Sequence, residues 1–185
     1  MPRRSRKATA YHEAGHAAIA RVLTLAAGGA TLKANYKEDS AAHAVTFEPY
    51  DCIEEWSKRG KVRDQPDAVW HARIIAYMAG ADADAEAVLL GRKSIGDGYD
   101  RREIAQMSGE LCHSVPWGRL EPRFRAMTRM LIRRHRARIE RVAEALLAKT
   151  TLSANQLDKL VGRSVDDVKV NAPILLAMHQ MDRRA

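Results

Sequence analysis

His12 and His16 stand four residues apart, with Glu13 beside the first, in the run Tyr11-His12-Glu13-Ala14-Gly15-His16-Ala17-Ala18-Ile19-Ala20. Around them Ala8, Tyr11, Gly15, Ala18 and Val22 recur at spacings of three and four. That period predicts one buried stripe of a helix from about Ser5 to Leu25, ended by Gly28-Gly29. The helix therefore carries two imidazoles and a carboxylate into a core, where polar groups must be paired or must bind something. Any fold open to this chain has to bring a partner to that turn.

The pattern is H-E-x-x-H. On a helix, positions i and i+4 share a face, so both imidazoles reach one ion without moving the backbone. Zinc suits such a pair, because it accepts nitrogen ligands and imposes no d-electron geometry. Glu13 lies close enough to accept a proton from water at an open position and later pass one to a leaving amine. The five-residue pattern also arises by chance on solvated helices. Here the small apolar residues Ala17 to Ala20 follow directly, which argues for a buried turn and for metal.

Three protein ligands are usual at a catalytic zinc. Of the later histidines, none falls at the spacing of the extended motif, where Val22 stands instead. A distant carboxylate is the better third ligand, with Glu86, Asp97 and Asp100 as candidates.

Beyond the first helix, Ala30 to Ala34 and Ala42 to Phe47 read as two strands of a hairpin or small sheet. Helical period returns from Pro66 through Ala79 and on to Leu90. A helix opening near Asp100 carries Ile104, Met107 and Leu111 on one face. Pro116 and Pro122 flank a break, and one long helix is predicted from about Glu121 to Lys149. Ser153 is the N-cap of a short helix ending near Gly162. A mainly α chain with a small β-hairpin or sheet (α+β) follows, with one domain over residues 1–162 and a loosely packed tail over 163–185. The 5% aromatic content and abundant alanine agree with a helical bias.

The order of features resembles the peptidase domain of the FtsH-type ATP-dependent zinc proteases, over roughly residues 8 to 162. The matching pieces begin with Ala10-Tyr11-His12-Glu13-Ala14-Gly15-His16-Ala17 and the two short strands after it. Then come Met78-Ala79-Gly80 through Ala85-Glu86 to Gly91, an aspartate opening a helix, and a late helix over Arg138 to Leu152. The resemblance implies a zincin-like helical fold and a zinc metalloendopeptidase acting on unfolded or extended protein segments, with Glu13 as general base.

It also implies that the third ligand is an aspartate preceding a helix. Counting back from Ile104-Ala105 without a gap gives Asp97. Matching the apolar positions that follow gives Asp100, which is preferred, because Asp97 would put Arg101 at the first buried position. Asp97 then reads as a helix cap, and Glu86 either as a carboxylate orienting a ligating histidine or as an exposed residue.

The chain departs from that family in lacking a G-x-x-x-x-G-K-[ST] loop. It also has Gly80-Ala81-Asp82 where a glycine-arginine pair is usual. The expected partners are a protein or peptide substrate, and a separate ATPase or further copies of the chain. The alternative function is a non-catalytic zinc-binding adaptor of the same fold.

No apolar run approaches the roughly 18 residues of a membrane helix. Cys52 and Cys112 show no metal or disulfide spacing, which fits a reducing cytoplasm. The net charge of +8 is concentrated in Arg119 to Arg141. With no aromatic platform or base-reading motif beside it, that stripe reads as the solvated face of a helix and not as a nucleic-acid site.

Overall fold

The computed structural model describes residues 5–25, 27–33, 42–46, 54, 66–80, 98–111 and 115–162. It is mainly helical, with a small antiparallel sheet. Helix α1 spans Arg6–Val22 and β1 spans Ala27–Thr31, followed by β2 at His43–Thr46. Helices α2 (Pro66–Gly80), α3 (Gly98–Gly109), α4 (Trp117–Arg134) and α5 (Arg136–Lys149) come next. Strand β3 (Thr151–Leu152) and helix α6 (Ala154–Val161) complete the described chain. No described helix is long and apolar enough to cross a membrane.

Helix α1 is at the centre of the described residues. Ser5 caps it, its Oγ accepting from the Ala8 N–H at 3.2 Å. From Ala10 to Val22 every residue is buried. The many alanines let α2 and α5 pack against it from two directions. Arg21, buried near its end, donates to Asp158 Oδ1 and to the Gly28 carbonyl, both at 2.8 Å. One guanidinium thus ties α1 to the start of the sheet and to α6.

The helix stops earlier than its sequence period suggests, at Val22, where Thr24 takes a left-handed conformation with φ 62°. Gly28 and Gly29 do not end it; they belong to β1. Gly29 is needed there because a Cβ would come within 2.5 Å of the Leu152 carbonyl oxygen in β3.

The sheet order is β2-β1-β3. Ala30 pairs with Ala44 on one side and with Leu152 on the other. The expected hairpin is therefore present and gains a third strand. The expected single helix over Glu121–Lys149 is two helices, broken at His135 (φ −105°, ψ 20°). The break lets α4 lie on α2 while α5 lies on α1. Pro122 sits inside α4 instead of interrupting it. It and Gly118 are both exposed, so the carbonyl that the proline cannot pair is not trapped in the core.

Ser153 and Gln156 form a reciprocal capping box on α6, and Gly162 closes that helix with φ 65°. Residues 163–185, Glu86 and Asp97 lie outside the described residues.

Candidate metal centre

Residues four apart on α1 bring the His12 and His16 rings edge to face, with centroids 4.7 Å apart and their Nε2 atoms 3.3 Å apart. Asp100 reaches the same point from the first turn of α3. Its Oδ2 lies 3.1 Å from His12 Nε2 and 3.4 Å from His16 Nε2. All three residues are buried. Ile104 and Met107 follow Asp100 into the core, so the apolar period of α3 also turns Asp100 inward.

These spacings bear directly on whether a metal fits. Ligands about 2.0–2.1 Å from a tetrahedral zinc ion lie about 3.3–3.4 Å from one another. The three observed separations fall within about 0.3 Å of that edge length. Among the described residues Asp100 Oδ2 is buried without a well-aligned hydrogen bond, although both imidazoles face it.

The tautomer of His16 follows from its neighbour. Its Nδ1 lies 2.9 Å from the Ala76 carbonyl of α2, and a carbonyl only accepts, so Nδ1 carries the proton. Nε2 of the neutral ring is then a lone pair aimed at a carboxylate oxygen. Two facing acceptors repel unless a proton or a cation sits between them. The buried His12–His16–Asp100 group is therefore one that could hold a metal ion.

Gly80, at the end of α2, lies against the same nitrogen. A Cβ there would land on His16 Nε2, far inside any non-bonded contact. Gly80→Ala is accordingly expected to displace the imidazole and lower metal affinity by at least the roughly 10–100-fold typical of a lost supporting contact. Unchanged metal content under chelator challenge would show that His16 does not bind metal in this geometry. Sequence reasoning missed this role of Gly80 and that of the Ala76 carbonyl. A glycine in an otherwise apolar helix is the one available signal. It also missed Tyr77, whose ring centroid lies 5.8 Å from that of His16.

Glu13 Oε1 is 3.9 Å from His12 Nε2. Its carboxyl is buried, and burial pushes its pKa up, against a downward pull from His12 and His16. In the metal-free chain Asp100 and His16 behave as an ion pair. Burial alone would raise the Asp100 carboxyl, but His16 and His12 hold it well below the usual carboxylate range. Burial alone would lower His16, but Asp100 outweighs it and the net direction is up.

The signs give a pH prediction. A depressed carboxyl stabilises the fold above its unfolded value, and that stability is lost as pH falls. A raised imidazole stabilises the fold below its unfolded value, and that stability is lost as pH rises through the folded pKa. The Asp100–His16 pair thus contributes most to stability between about pH 4 and 6.5, while the raised Glu13 carboxyl works against it as pH climbs above its own unfolded value. Metal requires His16 Nε2 without a proton, so loading reverses the upper limb. Thermal melts with and without chelator are expected to diverge steadily towards pH 8. Parallel curves would remove His16 from the ligand set.

Comparison with known proteins adds no family to this geometry: no family model and no curated protein matches the chain.

Proposed function

We propose that the chain is a zinc-dependent metalloendopeptidase cutting unfolded or extended protein segments, with a fold like the FtsH-type peptidase domain. The observation that carries this reading is the tetrahedral spacing of His12, His16 and Asp100 with a buried carboxylate, Glu13, beside it. A site meant only to hold structure has no use for that carboxylate. The three ligand residues would hold the ion, and the chemistry supplied when it is bound is Lewis acidity towards water and a carbonyl oxygen.

Glu13 does the proton work. It takes a proton from the attacking water and delivers one to the leaving amine. Burial favours this by moving its carboxyl towards the operating pH. Ala76 fixes the His16 ring, and Gly80 keeps the space beside it clear. An extended substrate adds to the sheet at the outer edge of β2, the hairpin strand that pairs on only one side among the described residues and that packs on α1.

The test is elemental analysis together with hydrolysis of unfolded casein. About one zinc per chain and chelator-reversible cleavage without ATP are expected. A folded, zinc-loaded protein that leaves casein intact would instead support the adaptor reading.

A further inference from the structure

Helix α4 buries one side and turns a row of arginines to solvent. Leu120, Phe124, Thr128, Leu131 and Ile132 are buried. Arg119, Arg123, Arg129, Arg133 and Arg134 are exposed. At 3.6 residues per turn these five fall within an arc of about 140° and along about 22 Å of helix. The one acid of α4, Glu121, is held by Arg125 at 2.6 Å. None of the five makes an ion pair with any described residue. An ordinary solvated helix mixes signs at i,i+4, as Arg136 and Glu140 do at 2.7 Å in the first turn of α5. The outer face of α4 does not, and its like charges repel one another.

We infer that this face binds the phosphate backbone of nucleic acid without reading its sequence. Guanidinium forks match phosphate oxygens in pairs. A protein partner would need a desolvated apolar centre, and the face offers only Pro122, Ala126 and Met130, the last 41% exposed. A lipid surface would take the apolar side of the helix, which is already committed to the core. Backbone binding needs neither, since release of condensed counterions drives it. Contacts to phosphate oxygens carry no sequence information, and α4 has no Asn or Gln to pair with adenine edges. The sequence period alone does not show that the nearest acid is already occupied, which is why the stripe first reads as a solvated face. Binding at this face does not depend on the metal.

The experiment is fluorescence anisotropy of the full chain with a labelled DNA duplex of about 20 base pairs. Five contacts give a slope of log affinity against log salt near −4.5, a loss of a few hundred-fold between about 50 and 200 mM salt. Replacing Arg119, Arg123, Arg129 and Arg133 by Gln flattens that slope by about 3–4. Replacing Lys7, Lys33, Lys149 and Lys159 by Gln removes the same charge from elsewhere and leaves most of the slope. Should the quadruple arginine variant not fold, Arg123→Gln alone flattens the slope by about 0.9 and serves in its place. The inference is overturned by any of three results. One is no duplex binding at low salt, and another is equal loss in both Gln sets. The third is tighter binding to phosphatidylserine vesicles or to a polyglutamate peptide than to the duplex.

Discussion

Glu13→Gln is expected to keep its zinc and lose casein hydrolysis by about 10²–10⁴, the usual worth of a positioned general base. The amide has the size of the carboxylate and fills the same buried space, so the fold does not need to rearrange. Glutamine is also neutral, which suits a position where burial already works against the charged form. What it lacks is the ability to take a proton. The proposed ligand set of His12, His16 and Asp100 is untouched, so metal content is the internal control. Equal rates in variant and parent would take the base away from Glu13. A rate that falls together with zinc would mean that Glu13 supports the ligands instead.

The parts of this site that are legible in the sequence are those that local periodicity fixes. A helix places His12 and His16 on one face whatever surrounds it. Ile104 and Met107 are buried as their spacing implies, and Asp100 lies on the same side of α3. The N-cap at Ser153 is equally local, resting on one side chain and its own turn. The features that the sequence hides depend on contacts distant along the chain. The Ala76 carbonyl that orients His16 is a backbone atom and has no residue signature. β3 is two residues long, too short to show alternation, and exists because β1 offers it a free side. The break at His135 has neither glycine nor proline to announce it, and arises from packing α4 and α5 on different helices. Gly28 and Gly29 have the composition of a helix stop, but β3 approaches Gly29 too closely for a side chain there.

Asp100→Ala is expected to lose zinc at chelator concentrations that the parent survives. Supporting contacts around a metal typically contribute about 10–100-fold to its affinity, and a ligand contributes more than its supports. The carboxylate oxygen is 3.1 Å from one imidazole nitrogen and 3.4 Å from the other, close to the ligand separation of a tetrahedral ion. The competing role is electrostatic. Asp100 lies in the first turn of α3, where an acid favours the helix N-terminus by about 0.3–1 kcal/mol. That role predicts a small drop in melting temperature and full metal retention. The fold itself survives the substitution, because Ile104 and Met107 still anchor α3 in the core. Asp100→Asn separates the two roles further. It preserves volume but offers only a neutral amide oxygen, and so binds zinc weakly while leaving packing intact. Asp97→Ala, by contrast, is expected to keep its zinc and at most to melt slightly lower through a lost cap, by about 0.5–2 kcal/mol. If Asp97→Ala loses the metal and Asp100→Ala keeps it, the ion is held by Asp97. The convergence of Asp100 with His12 and His16 would then be an ion pair of the metal-free chain and nothing more.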